Sequence, residues 1–274
     1  MTEKSFALDK NQMRRAFERA APAYECTALL QREIGARLLA RLDVIKLVPT
    51  RILDLGCGTG FCARVLRKRY RHTEVVGLDI APAMLSAARR RDGWFTRSRW
   101  VGGDAERLPF LDAGFDMVLS NLALQWCDPD RMFQEVARVL RPGGLFMFTS
   151  FGPDTLRELR QAWAAVDGAP HVHGFIDMHD LGDALVRARL AEPVMDVDRL
   201  TLTYKDVMSL LRELKDLGAH NVAHGRPQAL TGKGQFARFR AAYEAQARVG
   251  RIPATYEVEY GQASGPPPPH AGVV

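Results

Sequence analysis

The segment Asp54-Leu55-Gly56-Cys57-Gly58-Thr59-Gly60 has the residue types and spacing that most directly imply chemistry. It stands between a short apolar run, Arg51 to Leu55, and a helical stretch, Phe61 to Tyr70. Glycines at alternate positions permit positive φ and let a ligand approach the main chain. The GxGxG spacing departs from the GxGxxG of dinucleotide sites, since position 61 is Phe. A phosphate loop of the GxxxxGK[ST] kind needs a following lysine, and none is present. Asp54, which opens the segment, suits the cationic end of a ligand. A glycine turn that caps a helix and holds nothing is the competing reading.

Three further strand ends carry polar residues. Asp79 closes the run Glu74 to Asp79, where a carboxylate can accept from both hydroxyls of a ribose; an ordinary strand end is the alternative. Gly103-Asp104-Ala105 follows the run Arg99 to Val101, where an aspartate can accept from an adenine amino group. Asn121 follows the run Phe115 to Ser120. Four such positions at successive strand ends are far more specific than any one of them. S-adenosylmethionine, with an ammonium, a sulfonium and no phosphate, fits that set.

The elements that must hold these residues follow from periodicity. Residues 1–48 read as helix, with Phe17, Ala20, Ala21 and Tyr24 at helical spacing and Pro22 either dividing two helices or beginning the second. Across 51–150, five apolar runs, the last Leu145 to Ser150, alternate with helices over 61–70, 82–91 and 131–140. That alternation predicts a parallel, doubly wound α/β sheet. Beyond it, helices are expected over 154–166 and 178–189, each near an Asp cap, and over 206–217 and 233–247. Strands are expected over 194–204 and 254–260, and a disordered tail over 264–274, with Pro266 to Pro269.

Composition sets outer bounds. The 274 residues are 47% hydrophobic, enough for a sizeable core, and carry a net charge of +6. The excess is concentrated: residues 1–110 hold 21 basic and 12 acidic side chains, the remainder 17 and 20. A negatively charged partner is one reading of that bias, and a solvated arginine-rich surface is the other. No apolar run suffices to span a bilayer, and Met1 to Lys10 lacks a signal-peptide core. Four scattered cysteines form neither a disulfide framework nor a CxxC zinc pair, so a cytoplasmic location is expected. Metal binding by His171, His173 and His179 is disfavoured, because no Cys or carboxylate stands at ligand spacing.

The glycine loop, Asp79 and Asp104 together resemble the class I S-adenosylmethionine-dependent methyltransferases. Arg141-Pro-Gly-Gly-Leu145, matching the turn into their fifth strand, strengthens the likeness. The resemblance implies a Rossmann-like, seven-stranded, mostly parallel sheet of order 3-2-1-4-5-7-6 with an antiparallel seventh strand. It places Gly56, Gly58 and Gly60 on the methionine part, Asp79 on the ribose and Asp104 on the adenine; Asp54, Ile80, Ala105 and Asn121 are expected among the cofactor-binding residues. It implies one domain over 1–263: a helical cap (1–48), a cofactor core (49–150), a helical lid insertion with the sixth strand (151–253) and a last strand (254–263).

Segments outside that core narrow the likeness. Phe17-Glu-Arg-Ala-Ala-Pro-Ala-Tyr24, Ser120-Asn-Leu-Ala-Leu-Gln-Trp126, Gln161-Ala-Trp163, Pro170-His171, Phe175, Leu217-Gly-Ala-His-Asn221 and Gly250 to Tyr256 resemble the malonyl-acyl-carrier-protein O-methyltransferases of biotin biosynthesis. The implied reaction methylates the free carboxylate of a malonyl thioester and leaves S-adenosylhomocysteine. Tyr24 is the implied substrate-gating residue and Phe175 part of the lid; packing of Tyr24 beside Phe17, and of Phe175 in the core, are the alternatives. An acidic acyl carrier protein is the implied partner, docked on Arg64, Arg67, Lys68, Arg69, Arg71 and Arg89 to Arg91; neither nucleic acid nor membrane is expected, and the chain is expected to be a monomer. No arginine is singled out for the acceptor carboxylate. Phe151 to Leu159 with His179-Asp-Leu-Gly182 also resembles the complex I assembly factors that hydroxylate an arginine, a competing function on the same fold.

Overall fold

A computed structural model describes residues 9–92, 99–219 and 231–267. Seven strands form one sheet in the order β3-β2-β1-β4-β5-β7-β6. They are β1 (Arg51–Leu55), β2 (Glu74–Asp79), β3 (Arg99–Gly102), β4 (Phe115–Asn121), β5 (Leu140–Phe151), β6 (Ala191–Tyr204) and β7 (Ile252–Ser264). The β1–β2, β1–β4, β2–β3 and β4–β5 pairings are all parallel. The ten α-helices among the described residues are α1 (Lys10–Ala20), α2 (Tyr24–Thr27), α3 (Leu29–Ala40), α4 (Phe61–Arg69), α5 (Pro82–Arg91), α6 (Pro129–Val139), α7 (Arg157–Ala164), α8 (Met178–Arg187), α9 (Val207–Asp216) and α10 (Lys233–Glu244).

The chain divides into two compact units. The first contains residues 1–28, 151–177 and 197–258; the second contains 29–150, 178–196 and 259–274. The second unit holds the parallel strands. Ile52, Leu53 and Leu55 of β1 and Val75, Val76 and Leu78 of β2 are essentially inaccessible, as expected for strands covered on both faces. Phe133, Phe146 and Phe148 form an aromatic cluster with centroids 5.0–5.7 Å apart, anchoring α6 on β5. Asp128 caps α6 by accepting from the Arg131 N–H, and Pro129 takes the first helical position, where no N–H is needed.

Several sequence expectations shift on inspection. Residues 10–44 form three helices and a 3₁₀ turn, with Pro22 in the turn between α1 and α2. β5 begins five residues earlier than expected: from Phe115↔Leu140 to Met117↔Leu145, β4 advances two residues and β5 five, so Arg141-Pro-Gly-Gly144 bulges out. Asp154 does not cap α7. Its backbone N–H donates to Glu257, and the helix starts only after Leu156, which adopts φ 57°. The expected tail begins inside β7, which runs to Ser264. His220 and Asn221, and the tail from Pro268, lie outside the described residues.

Candidate cofactor site

The second unit brings the sequence-derived cluster together at one edge. Asp54 is the penultimate residue of β1, Asp79 the last of β2, and Asn121 the last of β4. The register places Asp54 beside Gly77 of β2 and Leu119 of β4, Asp79 beside Gly102 of β3, and Asn121 beside Thr149 of β5. This is the carboxyl edge of contiguous parallel strands, where open α/β sheets receive ligands.

Main-chain hydrogen bonds shape the glycine loop. The N–H groups of Gly56 and Cys57 both donate to Leu78 O, at 2.8 and 2.9 Å, folding the loop over the end of β2. Gly56, Gly58 and Gly60 all take positive φ (71°, 52° and 81°). A Cβ on Gly56 would lie 2.3 Å from that of Ala123, and one on Gly60 2.4 Å from the Trp100 ring. These two glycines therefore satisfy both a backbone requirement and a steric one.

Two carboxylates are buried beside the loop. Asp79 Oδ2 accepts from the Gly58 N–H at 2.9 Å, and Oδ1 from the Ala81 N–H at 2.8 Å. Asp54 Oδ2 accepts from the Ala63 N–H at 2.8 Å, in the first turn of α4. Burial, and to a lesser extent the charge of Asp79, raises Asp54 to about 7 against the Ala63 hydrogen bond. Burial likewise raises Asp79 to about 6, opposed by the N–H groups of Ala81, Gly58 and Ile80. Burial also pushes the Cys57 and Cys62 thiols well up, so both remain neutral. Two carboxylates brought near neutrality by desolvation are stabilised in their charged form by a cation. Gln31 Oε1 is a buried acceptor without a hydrogen-bond partner. A positively charged group, such as an aminoacyl ammonium, fits the two carboxylates.

The remaining positions are less uniform. Asp104 and Ala105, both half-buried, follow β3; Asp104 Oδ1 accepts from the Glu106 N–H and its carbonyl from the Arg107 N–H. Ile80 is half-buried and presents apolar surface next to Asp79. The Asn121 side chain is engaged by the protein: Nδ2 donates to Gln31 O at 3.0 Å, and Oδ1 accepts from Thr149 Oγ1 at 2.9 Å. It thus ties α3 and β5 to the end of β4, ahead of Leu122 at φ 53°.

Trp100 is a supporting residue that sequence reasoning missed. Its ring covers Gly60 and Gly77, where a Cβ would lie 2.4 Å away in each case. Its Nε1–H donates to Asp92 at 2.8 Å, and Arg67 holds the same carboxylate at 3.0 Å. Gly77 in the middle of a strand was the available signal.

In the first unit, Tyr24 opens α2 and is half-buried. Phe175 meets Phe151 edge-on at 5.8 Å and His173 at 5.3 Å; Phe151 also contacts Tyr256 at 5.6 Å. Among the described residues, Arg160 hydrogen-bonds backbone carbonyls only, those of Pro153 and His173. Trp163 stacks between His171 (3.8 Å) and Phe239 (4.1 Å), and His171 Nε2 lies 2.8 Å from Asp167 Oδ1. Among the described residues, no cluster of three His, Cys, Asp or Glu is arranged to hold a metal.

The basic clusters of the second unit are largely engaged internally. Arg67 pairs with Asp92 and Arg69 with Asp43, while Arg64, Arg89 and Arg91 donate to backbone carbonyls. Lys68, Arg71 and Arg90 are exposed. Among the described residues, no helix is long and apolar enough to cross a membrane.

A family model described as a methyltransferase domain matches residues 53–148. A malonyl-(acyl-carrier protein) O-methyltransferase of Laribacter hongkongensis (strain HLHK9) is 51% identical over 272 residues, covering 96% of this chain and 91% of that protein. One of Methylovorus sp. (strain MP688) is 50% identical over 270 residues, with the same coverage. The YcgJ protein of Bacillus subtilis superimposes with a TM-score of 0.60 at 17% identity, over 86% of this chain and 98% of its own. Geranyl diphosphate C-methyltransferase of Streptomyces coelicolor A3(2) does so with a TM-score of 0.52 at 16% identity, over 84% and 78%.

Proposed function

Because the chain belongs to the malonyl-(acyl-carrier protein) O-methyltransferase family, we propose that it methylates the free carboxylate of a malonyl thioester on acyl carrier protein. It is an S-adenosylmethionine-dependent O-methyltransferase, and its product is the methyl ester that primes pimeloyl synthesis for biotin. The ester hides a negative charge that would bar the chain from ordinary acyl elongation. A cytoplasmic monomer is the form in which the chain would do this; its four cysteines are free.

The observation that carries the cofactor assignment is the buried Asp54–Asp79 pair beside a loop whose Gly56 and Gly60 leave no room for a Cβ. Asp54 and the loop hold the methionine part, with its two positive centres. Asp79 has lone pairs left for the ribose hydroxyls after accepting from Gly58 and Ala81. Ile80 supplies apolar contact, and Asp104 with Ala105 faces the adenine. Asn121 acts here as a brace: its amide fixes the end of β4 on which the ring of loops depends.

When bound, S-adenosylmethionine supplies an electrophilic methyl group. The acceptor needs no general base, because a carboxylate with a solution pKa of about 4 is already ionised at neutral pH. The protein's work is orientation and exclusion of water. Arg160 is suited to orient that carboxylate, since among the described residues its guanidinium is bound only to carbonyls and retains donors. Phe175, with Phe151 and Tyr256, supplies an apolar wall, and Tyr24 offers a neutral phenol that can orient the acceptor without quenching it.

The test is incubation of the full chain with S-adenosylmethionine and malonyl-carrier protein, followed by intact mass spectrometry. One methylene unit of added mass on the acyl group is expected. No methyl ester under conditions where the cofactor binds would overturn the assignment. Nothing in the site favours the arginine-hydroxylase reading.

A further inference from the structure

The first unit contains a cavity of about 570 Å³ lined by Ala16, Arg19, Ala20, Ala23, Lys215 and Asp216. That volume lies in the range of small-molecule sites. Its apolar surface is built from alanines of α1 and of the turn that follows. Close helix packing supports it: Gly218, just after α9, has φ +72°, and a Cβ there would come 3.1 Å from the Ala16 backbone. The elements are thus held close by small residues, while the alanines leave space unfilled.

Its charges are distinctive. Arg19 and Lys215 are exposed, and neither has an ion pair or hydrogen bond among the described residues. Nearby acids are engaged elsewhere. Glu18 of α1 pairs with Arg14, and Glu213 of α9 accepts from the Tyr204 hydroxyl at 2.9 Å. Only Asp216 opposes the two cations in the lining. The contrast with Arg37, Arg67 and Arg240, each paired with a carboxylate, makes the two cations informative. An arginine fork and a lysine point charge in one concavity suit a phosphate oxyanion. Ala23 in the lining directly precedes Tyr24, the proposed substrate-gating residue.

We propose that this cavity receives the phosphodiester of the substrate's phosphopantetheine arm, with Arg19 and Lys215 as its ligands. The inference rests on the carrier-protein reading above and adds the feature by which the arm is recognised. The chemistry is that of an organic phosphate on a flexible linker, distinct from the acidic surface of the carrier itself.

The experiment compares the wild-type chain with Arg19→Gln and Lys215→Gln on malonyl-carrier protein, malonyl-phosphopantetheine and malonyl-pantetheine, which lacks the phosphate. Loss of one charge-assisted contact should raise KM roughly tenfold for the first two. KM for the third should stay within about twofold, since no contact to phosphate is at stake. In parallel, calorimetry should show wild-type protein binding phosphopantetheine more tightly than pantetheine, and each variant losing that difference. A KM rise confined to the carrier-bound substrate would mean that the cations read the carrier surface, and would overturn the proposal. An equal change for all three substrates would overturn it too. Should no substrate be methylated by wild type, the function assigned above falls, and the calorimetric difference still decides for or against the phosphate site.

Discussion

Asp54→Asn tests the electrostatic basis of the site. Asp54 is 1% exposed, and its carboxyl is raised from 3.8 to about 7, first by burial and further by Asp79. Between those values the folded protein keeps a proton that the unfolded chain has released. Stability therefore falls as pH rises through this window, the reverse of the behaviour of a salt-bridged carboxylate. Each tenfold change in proton concentration is worth about 1.4 kcal/mol there, so the interval from about pH 5 to about pH 7 amounts to about 3 kcal/mol. Asparagine retains an acceptor for the Ala63 N–H and does not titrate. Urea unfolding of the ligand-free protein should show the variant gaining about 3 kcal/mol on wild type between about pH 5 and about pH 8. Any fixed cost of the new amide shifts both ends equally, so the slope is the quantity that matters. Affinity for S-adenosylmethionine should run the other way. Its positive charges favour the ionised carboxylates, so wild-type binding weakens below about pH 7, by at most about tenfold per pH unit through Asp54 and more steeply below about pH 6, where Asp79 also takes up a proton. The variant should bind more weakly at about pH 8 and retain only the shallower dependence due to Asp79, centred near about pH 6. Parallel pH profiles for the two proteins, in both stability and affinity, would refute the assignment of Asp54 as a charge partner.

Two further outcomes follow from the geometry. Gly77→Ala should cost roughly 1–3 kcal/mol in urea unfolding, because its Cβ would overlap the Trp100 ring and approach Cys57; a smaller penalty in a Trp100→Phe background would identify the indole as the cause, and equal penalties would exclude it. Arg160→Gln should raise KM for a malonyl thioester by about tenfold and leave the equilibrium affinity for S-adenosylmethionine within about twofold, whereas a loss confined to stability would make Arg160 a purely structural residue.

The legibility of the sequence follows physical locality. The glycine loop, Asp79 and Asp104 are readable because each requirement is expressed within a few residues: positive φ, a strand end, a short turn. Parallel strands buried on both faces announce themselves as apolar runs, so the order of the elements in 51–150 can be placed. Contacts distant in sequence are not readable. Nothing near Asn121 indicates that its amide spans 90 residues to the Gln31 carbonyl. Trp100 reads as an ordinary strand residue, and only the fold lays its ring over two glycines. The expected cap at Asp154 fails because its carboxylate pairs instead with Arg157 and with Arg199, 45 residues away, and the helix starts after Leu156. The arginine clusters read as a free basic surface, yet Asp43 and Asp92 engage two members, an arrangement that composition cannot express. Arg160 and the cavity beside Arg19 likewise depend on residues brought together only by tertiary structure.

The sheet order has a consequence for biogenesis. β7, the last of these seven strands along the chain, lies between β5 and β6. While the ribosome is still adding residues 252–264, the β3-β2-β1-β4-β5 stretch can pair through local crossovers, but β6 has no neighbouring strand to join. The nascent chain must therefore hold an open edge on β5 until its C-terminal segment arrives, a state that invites pairing with other chains. Both compact units also take residues from within 252–264, so neither is complete before that moment. The final strand thus closes the sheet by joining β6 to β5.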